Sequence, residues 1–116
     1  MPRTEPSTME FLDLITSQDC EETRRRISGR LSRDYYWQAF EPFEPEPPEK
    51  PVAGSLSDDL ADIWRELKVG LLAIDNHADD VTVDVVWHWQ SSFEYHWARH
   101  AASAISALNA LCLGSP

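Results

Sequence analysis

Two histidines near the end of the chain, His96 and His100, are four residues apart. On an α-helix this spacing places both rings on one side, where they can bind a single metal ion. Further ligands are offered by three carboxylates at spacings of three and four in an earlier segment, Asp59, Asp62 and Glu66. Facing carboxylates and imidazoles are how metal sites in helical bundles are built. These five residues are therefore a candidate site, with the two histidines as candidate metal ligands.

The same residues fit two other roles. An imidazole beside a carboxylate can form a polar pair that orients the protein core, because losing one member would leave the other unpaired. Such a pair also suits general acid–base catalysis. The serines of the same segment, Ser91, Ser92 and Ser103, lie in a helical pattern without the strained turn of a serine nucleophile. A structural polar pair is the favoured interpretation, and the sequence gives no ground for assigning a metal or another cofactor.

Tryptophan is frequent in this chain, with five residues in 116. Tryptophans at the margin of an apolar face often seal a loop or an interface. Trp37 stands beside the arginines of its segment, and Trp87 lies about 100° from the apolar face of its helix. Sealing of a loop is the favoured role, with a peptide or small-ligand groove as the alternative. The candidate interface or groove aromatics are Trp37, Trp64, Trp87 and Trp97.

Half of the ten basic residues fall between Arg24 and Arg33, followed by Tyr35, Tyr36 and Trp37. A basic stripe beside aromatic rings can bind single-stranded nucleic acid through phosphate contacts and base stacking. The formal net charge of -10, however, repels phosphate backbones. Nucleic acid is therefore a disfavoured partner, and we expect the arginines to meet acidic residues of this chain or of a second copy.

The elements that would position these residues are helical. A helix over residues 81–112 would carry the two histidines at the edge of its apolar face. That face contains Val86, Trp89, Phe93, Trp97, Ala104, Ala107, Leu108 and Leu111. At about 1.5 Å per residue this helix would be ~48 Å long, too long for a compact domain of this size. We expect it to bend near Ser91, to start later, or to direct the small residues 101–104 toward a partner chain.

The preceding helix should start near Ser55 and Ser57, whose side chains can cap it, with an apolar stripe that runs to Ile74. The stripe contains Leu60, Ile63, Trp64, Leu67, Leu71 and Ile74. Earlier in the chain, Thr8 can cap a short helix over 9–15, and a helical pattern covers 19–38. Whether residues 8–38 form one helix or two stays open. Prolines define a stiff loop over residues 41–54.

Length and composition indicate one soluble domain. The chain has 116 residues, of which 42% are hydrophobic, so one core accounts for it. No apolar run is long enough for a membrane span, and the N-terminus lacks the apolar region of a secretory signal. Cys20 and Cys112 are read as free thiols in a reducing cytoplasm, although a bridge between them stays open.

Several motifs together resemble the bacterial family called domain of unknown function 5063, over residues 36–111. They are Trp37-x-x-Phe40, GSLSDDLADIWRELK at residues 54–68, Trp87-x-Trp89, and His96-Trp97-Ala98-Arg99-His100-Ala101. The chain departs from the family pattern at Trp64, where tyrosine is expected, and at Ala98, where glycine is expected. The resemblance implies a helical bacterial protein and carries no assigned activity.

These observations predict an all-α fold, a small antiparallel bundle of three or four helices with a long C-terminal helix and a Pro-rich intradomain loop. Residues 1–7 are expected to be disordered and residues 8–116 to form the domain. We expect a cytoplasmic, non-catalytic interaction or structural domain, whose partner is another protein or a second copy of the chain. The alternative is a metal-binding or metal-dependent hydrolytic protein that uses His96 and His100 with the three carboxylates.

Overall fold

A computed structural model describes residues 10–38, 43, 45–46, 52–77 and 81–114. The described part confirms the helical fold: four α-helices are accompanied by a 3-10 helix, two short strands and a π-helical turn. In chain order the elements are a 3-10 helix Glu10–Leu14, α1 Ser17–Ser28, β1 Tyr35–Trp37, β2 Ala53–Ser55, α2 Leu56–His77, α3 Thr82–Ser92, a π-helical turn Phe93–Trp97, and α4 Ala98–Gly114. In this described part, no helix is long and apolar enough to cross a membrane.

The first α-helix starts and ends at well-defined caps. The Thr16 hydroxyl accepts the backbone N–H of Asp19, and the Asp19 carboxylate accepts that of Thr16, both at 3.0 Å. α1 then ends at Ser28, and the N–H of Gly29 donates to the Arg25 carbonyl. The predicted helix over 19–38 is therefore ten residues too long. The predicted cap Thr8 and the N-terminal segment 1–7 lie outside the described residues.

The predicted helix over 19–38 is wrong in its second half, where residues 35–37 form a strand. Tyr35, Tyr36 and Trp37 form β1, and aromatic side chains are common in strands because they fit a pleated surface. β1 pairs antiparallel with β2, with Tyr36 opposite Gly54. Ala53 and Gly54 therefore belong to a strand, although the sequence assigns them to the loop 41–54. Most other residues of that loop lie outside the described residues.

An aspartate from outside the helix caps the start of α2. The Asp34 carboxylate accepts the Ser57 backbone N–H at 2.7 Å and the hydroxyls of Ser57 and Ser55 at 2.8 and 3.1 Å. Burial raises the pKa of Asp34, but these hydrogen bonds outweigh it and leave the pKa lowered. As predicted, the Ser55 hydroxyl also accepts a backbone N–H of the first turn, that of Asp58, at 3.3 Å. Asp34 in addition ties the chain before β1 to the start of α2.

The main core lies between the 3-10 helix, α2 and α3. Its buried members are Phe11, Ile15, Val69, Ala73, Val81 and Val85. Trp64 and Ile74 of the predicted stripe pack against this core, but Leu71 is half exposed. Val69 and Ala73 are buried instead, because α2 is covered by neighbours on several sides: α1, α3 and α4 all pack on it. A single amphipathic stripe cannot describe such a helix.

The predicted helix over 81–112 is interrupted by the π-helical turn Phe93–Trp97. A π turn holds more residues than an α turn, so it rotates the helix face that follows it. The predicted apolar face is also wrong before the turn: Val86 is about half exposed, whereas Val85 and Asp84 are fully buried. The break lies just after the predicted bend at Ser91.

The small residues after the π turn are used partly inside the protein. Ser103 and Ala104 are buried, while Ala102 is exposed. α4 packs against α2. Two of the four small residues at 101–104 are therefore packed inside the protein. This agrees with an internal helix crossing, the alternative to contact with another chain.

Candidate functional site

Six side chains face one another between α2 and the C-terminal helices, and we call them the carboxylate–imidazole row. They are Asp59, Asp62, Glu66, His88, His96 and His100. Asp59, Asp62 and Glu66 recur at spacings of three and four on α2, so they share one side of that helix. The opposing imidazoles come from α3, from the π turn and from α4. All five residues of the predicted site lie in this row, together with His88.

At one end of the row, His100 and Tyr36 bind the same carboxylate. The Nδ1 atom of His100 lies 2.9 Å from Oδ1 of Asp59, and the Tyr36 hydroxyl donates to Oδ2. Asp59 is buried, whereas the His100 ring is about a third exposed. Burial and the hydrogen bond to Asp59 raise the pKa of Tyr36. This end of the row therefore connects the hairpin formed by β1 and β2 with α2 and α4 through one buried carboxylate.

At the other end, Glu66 meets two histidines. Its Oε2 atom lies 2.7 Å from Nε2 of His88, and its Oε1 atom lies 3.7 Å from Nδ1 of His96. The His88 Nε2 atom has no partner of good hydrogen-bond geometry among the described residues, so its contact with Glu66 is short but poorly aligned. That contact is the main cause of a lowered pKa of Glu66, against burial, which raises it.

Between these ends, Asp62 has no close ion pair with a described residue. Burial raises the pKa of this carboxyl, and the nearby His96 and His100 lower it by a smaller amount. The nearby carboxylates of Asp58 and Asp59 also raise the pKa of Asp62. Asp62 therefore takes up a proton more readily than an ordinary aspartate does.

Within the described residues, the row does not provide three or more protein ligands for one metal ion. Among the described residues, no three His, Cys, Asp or Glu side chains are arranged to hold one ion together. The carboxylates instead contact imidazole nitrogens directly. His96 and His100 stand side by side, with ring centroids 5.4 Å apart and planes nearly perpendicular.

The predicted aromatic residues occupy different environments. Trp64 packs on the core, and Trp87 is partly buried. Trp97 donates from Nε1 to the Ser92 hydroxyl at 3.1 Å and packs edge-on against Phe93, which fixes the π turn beside His96. Among these four tryptophans, only Trp37 lines the groove between the β1–β2 hairpin and α4.

This groove lies between the hairpin and α4 and has a volume of about 680 Å³. Its walls combine aromatic, aliphatic and small residues with one cation. The residues that define it here are Arg33, Tyr35, Trp37, Ala107, Ala110 and Leu111. The volume is in the range of ligand and peptide sites. The groove thus offers exposed Tyr and Trp side chains beside an arginine.

The exposed side of α4 continues from this groove. Stepping about 100° per residue from Ala110 leads to Leu113, Asn109 and Ile105 on the outer side of the helix. Ile105 is 66% exposed and Leu113 is 79% exposed. Residues 101–114 contain no charged side chain. Residues 101–114 of α4 therefore expose an uncharged and partly apolar surface to solvent.

The arginine stripe meets acidic residues of its own chain, as expected. Arg24 donates to both oxygens of Glu21, at 2.6 and 2.8 Å, and lies 3.7 Å from Asp58. Arg25 also contacts Glu21. The hydrogen bond from Arg24 holds the pKa of Glu21 at about 2. At least two of the five arginines are thus used within the chain.

Three functional residues were missed by sequence reasoning. Tyr36 and Asp34 reach α2 from a strand and a loop that the sequence assigns to a helix, so no helical spacing could reveal them. The sequence places His88 opposite the predicted apolar face, but the buried side of α3 contains Val85, three residues before His88, and not the predicted Val86. The spacing of eight residues between His88 and His96, about two helical turns, is the one sequence feature that could have placed His88 in the row.

Comparison with known proteins assigns a family. The family model described as "Domain of unknown function (DUF5063)" matches residues 3–113, and the chain therefore belongs to this family. No curated protein and no solved structure matches the chain.

Proposed function

We propose that this protein is a non-catalytic interaction domain that pairs with a second copy of itself. The pairing uses a surface that we call the α4 surface: Tyr35 and Trp37 with the exposed residues Ala102, Ile105, Ser106, Asn109, Ala110, Cys112 and Leu113. The observation that carries the proposal is the exposure of large apolar side chains across an uncharged helix face. A monomer gains nothing from that exposure, whereas a covered surface would stabilise a complex.

The composition of the surface supports a role in protein contacts. Tyrosine, tryptophan and arginine are the residue types that dominate binding energy at interfaces. Tyr35, Trp37 and Arg33 all line the groove at one edge of the α4 surface. Trp37 is 70% exposed, so its indole ring is available to a partner. Small residues beside it on α4 allow a second helix to approach closely.

Charge favours a second copy as the partner. The net charge of -10 makes two copies repel each other over most orientations. Residues 101–114 carry no charged side chain, so two α4 helices can meet without bringing acidic groups together. The apolar positions Ile105 and Leu113 are two turns apart, which gives a short helix contact. We expect a weak dimer that forms in the micromolar range rather than an obligate one.

The pairing within the row supports a role without catalysis. Asp59 and Glu66 are engaged by imidazoles and hold α2 against the C-terminal helices, as a structural polar cluster does. Such engagement leaves these carboxylates less available for proton transfer to a substrate. Cys20 and Cys112 are free thiols in this structure. Free thiols suit a reducing compartment, so we propose a cytoplasmic location.

Sedimentation equilibrium over a concentration series tests the proposal. The unaltered protein should change from monomer to dimer as its concentration rises, and Ile105→Asp should remain a monomer because two added charges would face each other. Val83→Asp is the matched control, since Val83 is also a half-exposed aliphatic residue but lies on α3. A monomer mass at every concentration for the unaltered protein would exclude self-association, and equal dimerisation of both variants would exclude the α4 surface.

A further inference from the structure

The two exposed histidines of the row use the same ring nitrogen toward the protein. Nδ1 of His100 lies 2.9 Å from Asp59, and Nδ1 of His96 lies 3.7 Å from Glu66. Of the two neutral tautomers of an imidazole, a carboxylate beside Nδ1 favours the one with its proton on Nδ1, and that tautomer has a lone pair on Nε2 for a metal ion. In the described residues, the ion-pair contacts of both rings are made through Nδ1 and not through Nε2. Both rings are partly open to solvent, at 46% for His96 and 31% for His100.

We propose that His96 and His100 together bind one divalent transition-metal ion through their Nε2 atoms, and that Asp59 and Glu66 position the two rings. The ion is of the class that prefers imidazole, such as Zn²⁺ or Ni²⁺. A carboxylate on the far nitrogen of a metal-binding histidine is the usual arrangement of protein metal sites, because it fixes the ring and raises its basicity. This binding site is additional to the interaction role proposed above.

Local structure favours such a site at this place. The rings are four residues apart, and their centroids are 5.4 Å apart, as expected for two ligands on one helical side. His96 lies in the π turn, and π turns in helices frequently occur at functional sites. Asp62 adds negative charge close to both rings, since its carboxyl interacts electrostatically with each of them. That charge would stabilise a bound cation.

The roles differ from those expected for a bundle metal site. The sequence offers three carboxylates as ligands, but Asp59 and Glu66 contact the Nδ1 atoms of the rings, on the side away from the proposed ion. The protein therefore supplies two ligand atoms, and the other positions around the ion are filled by water or by a group from a second molecule. This agrees with the lack, in the described residues, of three side chains arranged around one ion.

His88 provides an internal comparison. Its ring is largely buried, with 12% of the side chain exposed, and its Nε2 atom is the one that faces Glu66. The ring also packs edge-on against Phe11 at a centroid distance of 5.8 Å. His88 therefore lacks an open Nε2 atom, and we do not include it in the metal site.

Isothermal titration of the untagged full chain with Zn²⁺ and with Ni²⁺ tests the site. We expect one ion of either metal per chain and no binding of Mg²⁺, which prefers oxygen ligands. His96→Ala and His100→Ala should each abolish this binding, while circular dichroism confirms that each variant is folded. His88→Gln should retain it. Unchanged binding in the double variant His96→Ala, His100→Ala would overturn the proposal.

The positioning role has its own test. Asp59→Asn removes the carboxylate behind His100 and should weaken Zn²⁺ binding by roughly 10-fold or more. Asp58→Asn is the matched control, because it removes the same charge from an exposed neighbour that contacts neither imidazole. If both variants weaken binding equally, the carboxylate acts only as a distant charge, and the proposed positioning by Asp59 is wrong.

Discussion

The Nδ1 atom of His100 lies 2.9 Å from the Oδ1 atom of Asp59, across 41 residues of sequence. The second oxygen of the same carboxylate accepts a hydrogen bond from Tyr36. Both oxygens of a buried carboxylate are therefore engaged, one by α4 and one by the hairpin. A buried charge is tolerated when it is paired and hydrogen-bonded in this way. Asp59 thus holds three separate elements in one arrangement.

Replacement of Asp59 by alanine should destabilise the protein by about 2 kcal/mol. The change would leave the Tyr36 hydroxyl and the His100 ring without their shared acceptor. The cost is below that of a fully buried pair because His100 is partly exposed and water can reach it. Urea unfolding followed by circular dichroism gives the free energy of unfolding.

Asp58→Ala is the control for this measurement. Asp58 is exposed and its nearest cation, Arg24, is 3.7 Å away, so its loss should change stability by less than about 0.5 kcal/mol. Equal losses in the two variants would mean that the buried pair contributes no more than a surface charge.

The neighbouring Glu66 should make stability depend on pH. Its pKa in the folded state lies below the ordinary value of 4.5, chiefly because of the contact with His88. A lowered folded pKa contributes stability that is present above 4.5 and is lost as the pH falls through the folded value. Glu66→Gln should therefore reduce the melting temperature at pH 6, and the difference from the unaltered protein should shrink below pH 4. A difference that is constant over this range would exclude the linkage.

Asp62 should show the opposite behaviour. Burial raises the pKa of this carboxyl above the ordinary value of 3.8, so the folded state binds its proton more tightly than the unfolded state does. The ionised form therefore costs stability at neutral pH. Asp62→Asn should raise the melting temperature at pH 7, and this gain should fade as the pH falls through the raised folded pKa and be absent below 3.8. A lower melting temperature at pH 7 would show that the attraction to His96 and His100 exceeds the cost of burial.

The sequence predicted the five residues of the row because helical spacing alone groups them. His96 and His100 are four apart, and the three carboxylates recur at three and four, so each group must share one side of its own helix. That the two groups meet follows from the packing of α4 on α2, which spacing does not determine. The individual pairings, such as His100 with Asp59, depend on the relative shift of the two helices along their axes.

The π turn and the hairpin could not be predicted in this way. A single extra residue in one turn of 93–97 changes which side chains face inward, and no residue type marks it as proline marks a kink. The three residues of β1 follow a helical pattern by chance, and they form a strand because β2 is available to pair with them. Pairing between segments that are distant in sequence is absent from any local pattern.

Asp34 should contribute to stability as the cap of α2. Its carboxylate accepts three hydrogen bonds, from the Ser57 backbone and from the hydroxyls of Ser57 and Ser55. Ser57 is fully buried, so Asp34→Ala would leave its polar groups with fewer partners and should cost about 2 kcal/mol. Asp34→Asn keeps an acceptor and should cost less. Urea unfolding measures both, and equal losses would mean that the negative charge, rather than the hydrogen bonds, matters.

Side chains of α3 pack directly against Gly70 of α2. A methyl group at this position would lie 2.6 Å from Nε1 of Trp89 and 2.7 Å from Cγ1 of Val85, so both side chains would have to move. Trp89 is also held by a hydrogen bond from its Nε1 atom to the Glu66 carbonyl. The strain should outweigh the gain of about 1 kcal/mol that alanine brings to a helix.

Gly70→Ala should therefore lower the free energy of unfolding by about 2 kcal/mol and shift the fluorescence of Trp89. Gly29→Ala is the matched control, since Gly29 has ordinary right-handed backbone angles and its added methyl would meet only carbonyl oxygens at 3.4 Å or more. That variant should be neutral or stabilised by about 0.5 kcal/mol, because alanine has less freedom in the unfolded chain. Unchanged or increased stability of Gly70→Ala would mean that α2 and α3 are less closely packed than the described contacts require.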